Sequence, residues 1–486
     1  MRNRSTRSSR GGGALHPLRA TAAAIARGTA AALVNFLGLI CIFYGFDLAI
    51  AMACLAAAGT VDRESVAAAV HLGELGLDGR LRATHGILPA VLAAARAGHR
   101  RVVVPSPDAD EARLVPDVEV VPVGSLIEAA VLHGGRFDDA VVAAAVSSDE
   151  DGQSSGDQGP GAPRGLGDLA DVIGNPQAVE ALLTAAAGGH HLLLAGPPGA
   201  GKTMLASRLP GILPDLTPDA ALEVASLRSL AGRRVGRELS TRPPFEAPHH
   251  TTSAAAMVGG GSRVIRPGAA ARASHGVLFL DEAPEFPAAV LDALRQPLES
   301  GEISIHRANA VASYPARFQL VLAANPCPCG GGDSPSESCT CPPAARRRYF
   351  SRISGPLLDR VDLRLWVHRV TPAILRTGES GERLTSDAAR TLVGGARAAA
   401  AARLAGTPWR TNAEVPGPWL RGEGGMHPGG HATRMLDRAL ELGSVTMRGY
   451  DRVLKVSWTL ADLEGADRPT AQHVGRALGM RQGMAA

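Results

Sequence analysis

Lysine is almost missing from this chain. Of its 50 lysines and arginines, only Lys202 and Lys455 are lysine. No Ser–Lys dyad, Schiff base or lysine general base can therefore be built from the residues before 202. A lysine kept against such a bias suits a role that arginine cannot fill, that of a compact point charge. Aromatic residues are scarce as well, at 3%, which leaves little for stacking the bases of single strands. Neither sign of charge is in large excess: 50 Lys+Arg against 46 Asp+Glu gives a net +4, so affinity for nucleic acid must come from local patches. Six cysteines in 486 residues do not make a secreted disulfide framework. What is present is ordinary for a globular chain, 45% hydrophobic and 20% charged. The length suggests two to four domains of about 100–200 residues each.

The start of the chain reads two ways. Six arginines fall within residues 2–27, and residues 28–46 then run without charge, the pattern of a signal sequence or membrane span. Asn35, Gly38 and Gly45 interrupt the run and Asp47 follows it. The rest of the chain reads as cytoplasmic, and no stable membrane association is expected. Residues 46–146 alternate helical and strand-like segments, a small α/β domain. Residues 147–166 are acidic and rich in Gly, Ser and Pro, a linker. Residues 167–368 carry apolar strand-like runs separated by helices, the pattern of a parallel sheet. Residues 369–486 turn helical, with apolar periodicity at 385–405, 431–442 and 448–463.

The strongest local signal is HLLLAGPPGAGKTMLA, residues 191–206. Gly196, Pro197, Pro198, Gly199, Ala200, Gly201, Lys202 and Thr203 fit the GxxxxGK[ST] phosphate loop between an apolar strand and a helix. Its backbone N–H groups can cradle phosphates, and the helix N-terminus adds positive potential. Lys202 would reach the β- and γ-phosphates and Thr203 would ligate Mg²⁺. Downstream, GVLFLDEAPEF (276–286) is a buried strand ending in two acids. Asp281 can hold Mg²⁺ through water, and Glu282 can polarise an attacking water. A third strand, FQLVLAANP (318–326), ends at Asn325, which would orient that water from between the other two strands. In SRISGPLLDRVDLRLWV (351–367), Arg360 or Arg352 is placed to meet the phosphate of a neighbouring subunit.

Cys41 and Cys54 stand alone in apolar sequence and are expected to be buried. Cys327, Cys329, Cys339 and Cys341 form a CxC…CxC cluster closed by nine residues. Four thiols suit tetrahedral Zn²⁺, but CxC is tighter than the usual CxxC. Zinc, a redox-sensitive or simple loop staple, and no metal all remain open on spacing alone. His249 and His250 have no carboxylate or cysteine at ligand spacing in sequence, so a pore-lining or partner-contacting loop is expected there.

The order of phosphate loop, Asp-Glu strand, Asn strand and LLDR, followed by a helical tail, resembles an AAA+ ATPase. FEAPHHTTSAAAMVGGG (245–261), VLDALRQPLESGEISIHRANAVASYPARF (290–318) and NPCPCG (325–330) narrow the likeness to the magnesium chelatase-like ATPases of the YifB/ComM type. The resemblance covers roughly residues 46–480. It implies an α/β fold: an AAA+ P-loop core with a parallel sheet, a C-terminal helical lid, and a truncated S5/Lon-like α/β N-terminal domain. It also implies a β-hairpin insertion around 302–317, a hexameric ring using ATP and Mg²⁺, and branch migration of DNA in uptake and recombination. Arg448 matches the second sensor arginine of the lid. A motor subunit of a magnesium chelatase is the alternative reading; Lon-type proteolysis is excluded because its dyad lysine has no counterpart. Arg346, Arg347, Arg348 and Arg352 cluster after the cysteines and suit either DNA or a subunit interface. Two departures stand out. Ala269 follows Pro267-Gly268 where the family has an acid, and residues 1–45 match none of the family's N-terminal strands. An altered start or a frameshifted upstream reading is expected to explain the latter.

Overall fold

The computed structural model describes residues 45–138, 167–261, 265–307, 310–331, 339–371 and 383–483. These fall into two compact units. Residues 1–44, with Cys41 and the apolar run, and the linker residues 139–166 lie outside the described residues. Among the described residues, no helix is long and apolar enough to cross a membrane.

The first unit, residues 45–138 with Gly232–Glu238, holds a parallel sheet of β1 (Val70–His71), β2 (Arg101–Pro105) and β3 (Glu119–Val123) in that order. Around it lie α1 (Asp47–Ala57), α2 (Ile87–Arg96) and α3 (Leu126–Leu132). Helix α1 buries Leu48, Ala51 and Met52, which share one face at spacings of three and four. Cys54, six positions after Leu48, falls about 240° around the helix at 3.6 residues per turn and is exposed. The expectation of a buried Cys54 is therefore corrected: apolar neighbours in sequence do not put a residue on the buried face.

The second unit carries a five-stranded parallel sheet. Its strands are β4 (Leu192–Ala195), β5 (Phe245–Glu246), β6 (Val277–Leu280), β9 (Gln319–Ala324) and β10 (Leu363–Trp366), in the order β10-β4-β9-β6-β5. A hairpin of β7 (Glu302–Arg307) and β8 (Ala310–Pro315) projects between β6 and β9 in sequence. Because both faces are covered, the central strands are apolar except for Gln319, whose buried amide donates to the Ala185 and His190 carbonyls. Leu192, Leu194, Phe279, Val321 and Ala323 enter one core; the alternate residues Leu193, Leu278, Leu280, Leu320 and Leu322 enter the other, as the two-residue side-chain period requires. Helices α4 (Pro176–Gly188) and α5 (Lys202–Ile212) border the sheet, and α6 (Pro343–Phe350) precedes β10.

The helical C-terminal region consists of α7 (Ser386–Arg403), α8 (Gly430–Glu441), α9 (Met447–Leu463) and α10 (Ala471–Gln482). Threonine side chains cap three of them: Thr385, Thr446 and Thr470 accept from backbone N–H groups of the first turn. Helix α9 is joined to the sheet through Asp362, which is fully buried. Asp362 accepts from Arg452 of α9 at 2.6 Å and from the His191 backbone N–H at 3.1 Å, and His190 stands 3.4 Å away. Burial alone would raise its carboxyl pKa, but Arg452 and the two histidines hold it well below the usual carboxylate range. Desolvation pushes His191 down to about 4.

A stability prediction follows from these groups. Asp362→Asn leaves the part-buried Arg452 beside a neutral amide in a buried pocket and is expected to destabilise the chain by about 3 kcal/mol, read by thermal or urea unfolding. Both shifts are depressions, so the folded state releases protons that the unfolded state keeps. The contribution of these two groups to stability is expected to be full above about pH 6.5, to fall toward pH 4 as unfolded His191 alone takes up a proton, and to fall further as Asp362 is protonated.

Candidate active site

The loop from Gly196 to Gly201 joins β4 to α5 and can be closed only by particular residues. Gly196 has φ of +157°, and a Cβ there would come within 2.3 Å of the Val367 carbonyl oxygen. Lys202, the first residue of α5, turns back over this loop. Its Nζ donates to the carbonyl oxygens of Gly196 at 2.7 Å and Pro197 at 3.0 Å, and to Asn325 Oδ1 at 3.0 Å. It is 7% exposed. Desolvation lowers the ammonium pKa from its ordinary value, opposed by Asp281 and Glu282.

Three neighbouring strands deliver the polar groups. Strand β9 lies between β4 and β6 and ends next to Asn325; β6 ends next to Asp281 and Glu282. Thr203 Oγ1 donates to Asp281 Oδ2 at 2.7 Å, and Asp281 Oδ1 accepts from the Glu282 backbone N–H at 2.9 Å. A hydroxyl and a carboxylate side by side form a hard-oxygen donor set that suits Mg²⁺. Glu282 occupies the left-handed region (φ 51°, ψ 43°), a conformation disfavoured for a residue with a side chain. Beside the loop lies a cleft of about 180 Å³ lined by Val172, Ile173, Ala200, Met204 and Val370 among others, apolar walls suited to a flat ring.

The structure thus brings together Lys202, Thr203, Asp281, Glu282, Asn325 and the loop residues. It does not add the three candidate arginines to that group. Arg360 pairs with Glu299 and donates to the Pro356 carbonyl. Arg448, strongly exposed, stands 3.7 Å from Asp359. Arg352 pairs with Glu285 at 2.9 Å.

Two further residues join the site: Arg369, and His250 of the segment expected to line a pore or meet a partner. His250 Nδ1 lies 3.5 Å from Glu282 Oε2, with the His249 ring 4.0 Å from its own, centre to centre. Arg369 Nε donates to the Pro198 carbonyl at 3.1 Å. The pairing of β5 with β6 and of β10 with β4 puts them there. The only sequence signal available was their position a few residues beyond strand ends.

Next to this site, the four thiols of Cys327, Cys329, Cys339 and Cys341 converge, with all sulfurs within 4.8 Å of one another. Cys327 Sγ is 3.2 Å from Cys329 Sγ, and Cys339 Sγ is 3.5 Å from each. A tetrahedral ion with metal–sulfur bonds of about 2.3 Å needs sulfurs about 3.8 Å apart, so the donor set fits one such ion. Desolvation pushes the Cys327 thiol up to about 12, whereas the Cys341 backbone N–H draws Cys339 down to about 6.

A parallel sheet of this order, a lysine-bearing phosphate loop, an Asp-Glu strand beside it and a helical C-terminal region define an AAA+-type ATPase. The family profile described as magnesium chelatase, subunit ChlI, matches residues 168–375, its C-terminal counterpart matches 383–481, and a profile described as subunit ChlI of Mg-chelatase matches 44–108. The chain is 40% identical to the competence protein ComM of Haemophilus influenzae, covering 90% of this chain and 82% of that one. It is 38% identical to the uncharacterized protein YifB of Salmonella typhimurium, covering 90% and 81%. An uncharacterized protein of Mycobacterium tuberculosis is 47% identical over 90% of this chain and 83% of its own. The chain belongs to the YifB/ComM-type magnesium chelatase-like family.

Proposed function

We propose that the chain is an ATP-hydrolysing motor that acts on DNA as a ring of like subunits. The observation that carries the ATPase reading is the contact of Lys202 with Asn325 beside the contact of Thr203 with Asp281, four side chains gathered from the ends of three adjacent strands. Lys202 binds the β- and γ-phosphates, and Thr203 with Asp281 holds Mg²⁺, which neutralises phosphate charge when bound. The loop from Gly196 to Gly201 supplies backbone N–H groups, and the cleft at Val172, Ile173 and Val370 takes the base. Glu282 accepts the proton of the attacking water, and Asn325 fixes that water's position. Arg360 and Arg448 lie near each other at Asp359 and serve the phosphates of an adjoining subunit. The four thiols hold Zn²⁺.

The DNA reading is supported by the likeness to a competence protein and by Arg347 and Arg348, which α6 leaves exposed. A motor working on a protein partner, as in a magnesium chelatase, is favoured by the two profile matches across residues 168–481. Measuring ATP turnover with and without forked or four-way DNA separates the two. Severalfold stimulation, stronger at low salt because phosphate contacts are salt-sensitive, is expected. Turnover indifferent to every DNA structure would contradict the DNA reading and favour a protein partner.

A further inference from the structure

The thiol cluster is built onto the nucleotide site itself. Cys327 follows Asn325 by two residues, and Asn325 is the group to which Lys202 donates. The turn from Cys327 to Gly330, closed by the Gly330 N–H donating to the Cys327 carbonyl at 3.0 Å, is buried at both ends. Gly330 has φ of +79°, and a Cβ there would stand 2.6 Å from Cγ of Pro198 in the phosphate loop. On the other side, the Cys339 sulfur accepts from the Arg346 side chain. Arg346 belongs to α6, whose buried Tyr349 lies beside the Asn325 backbone.

From this placement we propose that the metal-loaded thiol cluster is a clamp that holds the phosphate loop and Asn325 in the arrangement needed for ATP turnover, so that loss of the metal switches the ATPase down. The proposal rests on the reading of the four thiols as Zn²⁺ ligands. Each ligating thiol gives its proton to water as its sulfur bonds the metal, and no redox change is involved. Without the ion, no bond ties the four sulfurs together, and the two CxC arms, joined by only nine residues, are free to separate. The Cys327–Gly330 turn then no longer presses on Pro198, and the end of β9 loses its tie to α6. Lys202 is the group most exposed to this change, because its partners lie on both sides: Gly196 and Pro197 in the loop, Asn325 on β9. The metal would act as an outer support that orients groups touching the nucleotide, and such supports are commonly worth tenfold or more in activity.

The full chain, purified without chelator, should contain one zinc per polypeptide by plasma mass spectrometry, and cobalt exchanged into it should give thiolate charge-transfer absorption. Stripping the metal with a chelator should lower ATP turnover about tenfold and weaken binding of a fluorescent ATP analogue, both restored by added Zn²⁺, with circular dichroism recording whether the fold persists. Gly330→Ala keeps all four thiols but forces a Cβ against Pro198; it should retain zinc and still lose turnover. A chain that holds no zinc, or shows iron–sulfur absorption instead, overturns the zinc reading and the clamp with it. A chain that holds zinc, yet whose stripped form and Gly330→Ala variant bind and turn over ATP like the wild type, overturns the clamp and leaves the zinc reading standing.

Discussion

Lys202→Ala is expected to weaken MgATP binding at least about a hundredfold, measured by titration with a fluorescent ATP analogue. A charged donor buried against phosphate contributes about 1.5–3 kcal/mol per contact, and each 1.4 kcal/mol is a factor of ten. Lysine at this position serves two phosphates. The variant also loses the donor that now holds the Gly196 and Pro197 carbonyls and Asn325, so the loop loses its closure as well as its charge. The only other lysine, Lys455, donates to the Ala413 carbonyl from α9 and cannot substitute. Lys202→Arg should rescue little, because a forked guanidinium does not fit where a 7% exposed ammonium sits between three acceptors. Normal affinity in either variant would remove the phosphate-loop assignment.

Glu282→Gln is expected to bind MgATP normally and release phosphate at least about a hundredfold more slowly, the range for loss of a positioned general base. Binding is spared because Lys202, Thr203 and Asp281 keep their contacts. The amide keeps the shape of the side chain beside His250 but cannot take a proton. A single-turnover measurement with radiolabelled ATP distinguishes slow chemistry from slow product release. Unchanged phosphate release would show that another group is the base.

Much of this arrangement can be read directly from the sequence, for physical reasons that differ by element. The central strands are short apolar runs buried on both faces, so LLLA, VLFL and QLVLAA stand out without any knowledge of neighbours. The phosphate loop is written in adjacent residues because a backbone that must approach phosphate closely needs glycine at fixed spacing. His250 and Arg369 were not legible. Their places beside Glu282 and Pro198 depend on which strands lie side by side, information that is long-range and carried by no local pattern. Helix α10 also leaves little local signal: AQHVGRALGMRQ contains two glycines and few large apolar residues, and it gains stability by packing on α9 and α8. Cys54 shows the converse, an apolar neighbourhood that predicts burial where helix phase turns the side chain outward.

The central claim is that this chain hydrolyses ATP at the site built from Lys202, Thr203, Asp281, Glu282 and Asn325. The most direct test is steady-state phosphate release by the purified full chain with saturating MgATP. Release that rises in proportion to protein concentration, stops when EDTA removes Mg²⁺ and is absent from a parallel preparation of Lys202→Ala is the predicted result. A folded wild-type chain that releases no phosphate above the buffer blank, or one whose release is the same in Lys202→Ala, would contradict the account.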